Sequence, residues 1–324
     1  MGFSCLLSSR SLICVSGVAA HEFLQGLFTN DLRLLQPGGS IWGCFLYHTG
    51  RVMCDAYLYQ LARAREGGAS ILVDVHQDVA DVLHDHLLEM RMRKRVQIYN
   101  AGKELVVMAT SSWGDNGFHA GKKGEEEEQE TSSLARKCDT FTDPRSFAFP
   151  APLRKRIFPA ADAPSITDPV SEYETLLYTS GVGEGPDVFR PSRSLPFECN
   201  MDFLRGVSFR KGCYLGQELT HRTHVTLVTR KRTVPLQLPS SSGDGTGGTR
   251  RAVAKGEALL IDGQKVGDVL TVCGDVGLGL LRLRYVDAAT RTAPGLELRG
   301  ALPVSITIPS WWEEKELKKV LSST

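Results

Sequence analysis

Apolar residues recur along the chain with two different periods, and the change between them divides it. Ala19, Phe23, Leu24 and Leu27 fall on one face of a short helix over residues 17–27. Thr29-Asn30-Asp31 ends it in turn chemistry. Strand-like runs follow at Ile41–His48 and Val52–Leu61, joined by Thr49-Gly50-Arg51, whose glycine suits a tight hairpin. Ser70–Val75 reads as a strand. Val79, Leu83, Leu87 and Met90 then repeat at helical spacing, and Val96–Tyr99 and Glu104–Ala109 return to strand texture. Phe141–Phe149 is again strand-like. Pro150, Pro152, Pro159, Pro164 and Pro169 punctuate a connector before a helix at Asp168–Ser180, with Tyr173, Leu176 and Leu177 inward. Beyond Arg230 only short strands remain: Thr233–Leu238, Ala258–Ile261, Lys265–Val272 and Gly277–Leu283. Their spacing predicts a small antiparallel barrel.

Helices mixed with antiparallel hairpins indicate an α+β fold, not a doubly wound parallel sheet. The texture divides the chain into a first α+β lobe (1–112), a loop (113–137), a second lobe (138–228) and a C-terminal β domain (229–324). The loop contains the acidic run Glu125–Glu130, broken only by Gln129, and reads as solvated and disordered.

Composition narrows the function classes. The chain has 324 residues, 42% hydrophobic, enough for one or two cores. Its 38 Lys plus Arg and 37 Asp plus Glu leave a net charge of +1, which gives no general reason to expect nucleic acid. No apolar run reaches the roughly 18–20 residues of a membrane-spanning helix. Eight cysteines lie scattered without a CxxC pair and read as reduced thiols in a cytosol- or matrix-like compartment. The N-terminal stretch MGFSCLLSSRSLICVSG carries one Arg, and no complete targeting peptide is legible in it.

The chemistry concentrates in Lys211-Gly212-Cys213-Tyr214-Leu215-Gly216-Gln217-Glu218. Two glycines flank Cys213 and allow a sharp turn close to a ligand. Residues 215–222 favour a helix, which predicts Cys213 at or just before its N-terminus, where free N–H groups favour a thiolate. Arg210, Lys211 and Arg222 add positive charge. Such a cysteine suits a nucleophile, a redox sensor or a metal ligand, or is simply packed in a Gly-bounded turn. His221 and His224 have helical i, i+3 spacing but make a weak metal motif with Cys213.

The eight residues resemble the K-G-C-Y-x-G-Q-E signature of the YgfZ branch of the folate-binding GcvT-like family. Leu24–Asp31, Gly50–Asp55, Asp143-Pro144-Arg145 and Pro196–Asn200 are similar to further elements of that family. The Pro309-Ser310-Trp311-Trp312 ending resembles its eukaryotic mitochondrial members. After Asp143-Pro144-Arg145 the family usually carries Gly-aromatic-Arg; here the sequence is Ser146-Phe147-Ala148.

The resemblance implies two mixed α/β lobes and a barrel around a central folate-type pocket. It implies a mitochondrial-matrix factor acting late in 4Fe–4S maturation with an A-type scaffold protein. Expected recipients are aconitase-type and radical-SAM enzymes such as lipoate synthase. Cys213 would ligate a 2Fe–2S cluster shared with the partner, with Lys211 and Arg210 steadying the thiolate and Gly212, Tyr214, Gly216, Gln217 and Glu218 shaping the loop. Asp55, Glu198 and Asn200 would line a tetrahydrofolate pocket. The alternative is a folate-dependent one-carbon transferase, which needs the Asp55 carboxylate and leaves Cys213 unexplained.

Overall fold

In chain order the elements are β1 (Phe3–Leu6), β2 (Arg10–Gly17), α1 (Ala20–Gln25), β3 (Ser40–Leu46), β4 (Val52–Gln60) and β5 (Ala69–His76). Then come α2 (Gln77–Arg91), β6 (Gln97–Asn100), β7 (Leu105–Ser111), β8 (Asp139–Thr142), β9 (Leu153–Pro159), α3 (Val170–Thr179), α4 (Gly185–Val188) and α5 (Gln217–Thr226). The chain ends in β10 (Lys231–Gln237), β11 (Ala258–Ile261), β12 (Gln264–Cys273), β13 (Val276–Arg282), β14 (Leu296–Leu298) and β15 (Leu302–Ile306). The computed structural model describes residues 2–62, 69–111, 138–165, 167–226, 229–239, 252–286, 295–299 and 302–312. The acidic run expected to be a disordered loop lies outside these residues.

Two antiparallel sheets and a barrel result. One sheet runs β3-β4-β5-β2-β6, the other β1-β7-β9-β8, and the barrel closes as β10-β13-β12-β11-β14-β15. β4 is buried at every position, because side chains on both of its faces meet other layers. α2 covers one face of its sheet with Val79, Ala80, Leu83 and Leu87. The barrel fills with Val234, Leu236, Leu259, Val269, Leu281 and their neighbours, inward at alternate positions.

The N-terminal stretch is structural: β2 lies between β5 and β6, and β1 pairs with β7. Three expectations need correction. The sheets therefore do not follow a divide at residue 112, since β1 and β7 share a sheet with β8 and β9. The Pro-punctuated connector contains β9, the partner of both β7 and β8. Its prolines flank or close the strand, so the N–H groups of residues 154–158 stay free for the ladder. Phe141–Phe149 is strand only at its start. Asp143 Oδ1 accepts from Arg145 N at 2.8 Å and turns the chain into a short 3-10 segment, Ser146–Ala148.

The barrel is stitched to the second lobe. Arg232 forks onto Asp202 at 2.8 and 2.7 Å, and Trp311 Nε1 donates to the Ser180 carbonyl at 2.8 Å.

Candidate functional site

The eight-residue motif lies across the β3–β4 hairpin and the end of α1. Lys211 Nζ donates to the carbonyls of Gln25 (2.6 Å), Phe28 (2.6 Å) and Asn30 (3.0 Å). All three ammonium donors are thereby used. Burial pushes this ammonium down to about 8, with Asp31 opposing the shift. The expectation that Lys211 steadies a Cys213 thiolate is corrected: its charge is spent on the carbonyls at the end of α1. Tyr214 is buried in the core, with Lys211 Nζ 4.9 Å from its ring centre. Gly216 adopts φ +78°, and a Cβ there would lie 2.4 Å from the Tyr47 carbonyl oxygen and 3.3 Å from the Gly50 Cα. Gln217 Oε1 accepts from Tyr214 N at 3.3 Å, and Glu218 is exposed.

Between these anchors Cys213 and Gly212 stand clear. A Cβ at Gly212 would meet nothing within 4 Å. Cys213 is the one exposed thiol of the eight. Cys5, Cys14, Cys44, Cys54 and Cys199 are buried, and burial pushes Cys5 up to about 11 and raises Cys44, Cys54 and Cys199 as well. α5 begins at Gln217, so Cys213 precedes it by a full turn and not by one residue. His224 stacks on Phe209 with ring centres 3.6 Å apart. Among the described residues no three His, Cys, Asp or Glu side chains come together as a metal site.

A second concentration of charge lies deep between the sheets. Arg145 is fully buried and contacts Asp143 (3.0 Å), Glu184 (2.5 Å) and the Tyr57 hydroxyl, with the Trp42 and Tyr57 rings each 5.0 Å from its guanidinium carbon. Glu184 also accepts from Tyr57 and from Tyr173 at 2.7 Å, and faces Arg10 and Lys155 at 3.7 and 3.8 Å. Burial alone would raise its carboxyl, but Lys155, Arg145 and Arg10 hold it well below the usual range. Asp55 Oδ1 accepts from Gly185 N at 2.9 Å, while its Oδ2 is buried without a partner. Burial raises this carboxyl, with Arg10 opposing.

Glu198 and Asn200 have hydrogen-bond partners of their own. Glu198 Oε2 accepts from Leu195 N at 3.1 Å and caps a 3-10 turn. Asn200 sits at φ 58°, donates to the Thr233 carbonyl at 2.8 Å and accepts from Arg232 at 3.3 Å. Asn200 therefore holds the lobe-to-barrel seam with its side chain, and Glu198 with its backbone carbonyl, which accepts from Thr233 Oγ1 at 2.9 Å.

Relatives and folds agree with this architecture. Residues 230–314 match the family described as the CAF17 C-terminal beta-barrel domain. The iron–sulfur cluster assembly factor IBA57, mitochondrial, of Mus musculus is 32% identical over 94% of this chain and 84% of its own length. The chain belongs to the IBA57 family. The IBA57 homolog of Aspergillus fumigatus is likewise 32% identical, over 89% of this chain and 72% of its own. The glycine cleavage system aminomethyltransferase T of Bartonella henselae superposes with a TM-score of 0.61 over 96% of this chain and 86% of that one. At 16% identity it shows the fold alone: the GcvT-like arrangement with a closed C-terminal barrel.

The tetrahydrofolate expected from the sequence resemblance can be set against the residues around the buried centre. The cavity bordering the buried centre, lined by Arg10, His76, Tyr173, Glu184 and Gly185 among others, holds about 210 Å³. Ligand pockets usually span roughly 300–1,000 Å³. The nearby cations already face carboxylates, and Asp55 lies outside the lining, so these residues do not fit a whole tetrahydrofolate.

Arg145 and Glu184 are the residues that sequence reasoning passed over. Arg145 was visible in the Asp143-Pro144-Arg145 element. Nothing local marked Glu184, 39 residues further on, as its partner.

Proposed function

We propose that this IBA57-family protein works in the mitochondrial matrix, late in the maturation of 4Fe–4S proteins, by presenting Cys213 to an iron–sulfur cluster carried by an A-type scaffold. The observation that carries this reading is the contrast within one loop. Lys211, Tyr214 and Gly216 are locked into the protein, and Cys213 between them is the one exposed thiol. A rigidly held, accessible thiol meets the geometric need of a ligand that must reach a cluster on another molecule. Clusters are commonly held by about four thiolates. A single cysteine therefore implies sharing: a 2Fe–2S cluster bridged between this chain and the scaffold, passed on as substrate to recipients of the aconitase and lipoate synthase type.

The test is complementation of cells lacking the protein, reading aconitase activity and protein lipoylation. Cys213→Ser should fold normally and restore neither. Full rescue by Cys213→Ser would refute the role of the thiol. The folate-dependent transferase reading requires instead that Asp55→Ala abolish methylene transfer to tetrahydrofolate while Cys213→Ser leaves it intact.

A further inference from the structure

We infer that the outer face of the β1-β7-β9-β8 sheet carries a binding site for a small organic oxyanion, a phosphate monoester or a carboxylate on a compact apolar body. The site shares no lining residue with the Cys213 loop or with the cavity beside the buried centre, and it does not depend on the role proposed for the thiol. Strand register builds it. Arg154 of β9 stands opposite Thr110 of β7 on one side and Thr142 of β8 on the other. Two residues further along β9, Arg156 stands opposite Thr140. Residues two apart on a strand share a face, so both arginines lie on one side of the sheet. Lys155 between them lies on the other side, where it is fully buried opposite Ala109 and Phe141.

A cavity of about 370 Å³ lies on the arginine face, with Phe3, Ser4, Thr110, Pro152, Arg154 and Arg156 in its lining. That volume falls within the roughly 300–1,000 Å³ usual for ligand pockets, which the cavity beside the buried centre does not reach. Its lining sets two guanidiniums against one carboxylate, Asp168, whose Oδ2 already accepts from Ser4 N at 2.7 Å. Among the described residues neither arginine forms an ion pair. Arg156 donates its Nε to Cys138 Sγ at 3.3 Å and rests 5.0 Å from the centre of the Phe158 ring, so its terminal nitrogens stay available. A second observation points to a ligand. Ser111 also lines the cavity and is only 5% exposed, yet its hydroxyl has no hydrogen-bond partner. Buried hydroxyls are ordinarily paired, and a bound oxyanion would supply the missing acceptor. Two adjacent guanidinium forks suit the oxygens of a phosphoryl or carboxylate group, and they repel a cation. Phe3 and Pro152 offer the organic part of the ligand an apolar wall.

The experiment titrates the full chain with phenyl phosphate, benzoate and phenol by calorimetry. It compares wild type with Arg154→Gln, Arg154→Gln/Arg156→Gln and Ser111→Ala, each checked for native melting. Phenyl phosphate or benzoate should saturate the wild type and raise its Tm, and the tighter of the two assigns the site to phosphoryl or to carboxylate ligands. Phenol, which keeps the ring and lacks the oxyanion, should bind at least about tenfold more weakly. The double arginine variant should lose about tenfold or more, and Arg154→Gln alone a smaller part of that. Ser111→Ala should lose roughly threefold, the share of one neutral hydrogen bond. Absence of binding by both phenyl phosphate and benzoate at millimolar concentration overturns the inference. Phenol matching the anions overturns it too, as does full affinity in the double arginine variant.

Discussion

The buried centre and the Cys213 loop both gather reactive side chains, and they use them in opposite ways. The centre brings Arg10, Arg145 and Lys155 together with Asp74, Asp143, Glu184 and Asp55, nearly all without solvent contact. Nearly every charge there faces an opposite charge or a tyrosine hydroxyl, so the network consumes its own chemistry. The loop holds one small thiol, few contacts and open space. In this fold the dense cluster of titratable groups holds the sheets together, and the exposed thiol is the one we propose is offered to a partner. Structural ion-pair networks perturb titratable groups as functional sites do, so perturbation by itself does not mark a site.

The sharpest way to break that contrast is to unpair the centre. Arg145→Ala leaves Asp143 and Glu184 buried without their shared cation and should cost about 3–5 kcal/mol, read as a lower urea midpoint. Acid should do the same reversibly. Glu184 titrates below its ordinary value of 4.5 when folded, so the stability it provides is present above 4.5 and lost as the pH falls below it. Asp55 has the opposite sign, because its raised carboxyl favours folding only in the protonated form. Urea midpoints followed downward from neutral pH should therefore drop, and Glu184→Gln should flatten that drop. A Glu184→Gln profile parallel to wild type would place the acid sensitivity elsewhere.

Within the loop the two glycines separate the anchored part from the offered part. Gly216→Ala meets both a positive φ and a 2.4 Å contact and should lose roughly 2 kcal/mol or more in thermal melts. Gly212→Ala should stay within about 0.5 kcal/mol. At Cys213 itself stability and function should separate. Cys213→Ser should change unfolding free energy by about 1 kcal/mol or less while removing cluster delivery. A loss as large as that of Arg145→Ala would make Cys213 a packing residue and erase the distinction between the two regions.

Much of this was legible in the chain and some was not. The β3–β4 hairpin, α2 and four barrel strands were readable because their apolar periods survive in short windows. β14 and β15 escaped because strands of three and five residues carry little period. β9 hid among prolines, which look like breakers even when they only bracket a strand. At the candidate site, the eight-residue motif singled out Cys213, which the structure exposes, but the role of Lys211 was misread, since no sequence spacing shows an ammonium reaching carbonyls more than 180 residues away. Glu198 and Asn200 were expected at a ligand pocket from the family resemblance of Pro196–Asn200 and not from their local chemistry. Only the seam with Arg232 and Thr233 reveals their use.

The pairing of Phe3 with Ser111 has a consequence for the order of assembly. The first strand synthesised finds its partner only after more than a hundred further residues have been made, and β2 likewise waits for β5 and β6. Contacts of such long sequence separation are slow to form. Until they form, β7 keeps an open edge whose N–H and C=O groups invite other chains. Nascent fragments ending shortly after residue 111 should thus be the species most prone to aggregate during synthesis: the β3-β4-β5-β2-β6 sheet has all its strands by Asn100, while the β1-β7-β9-β8 sheet still lacks β8 and β9.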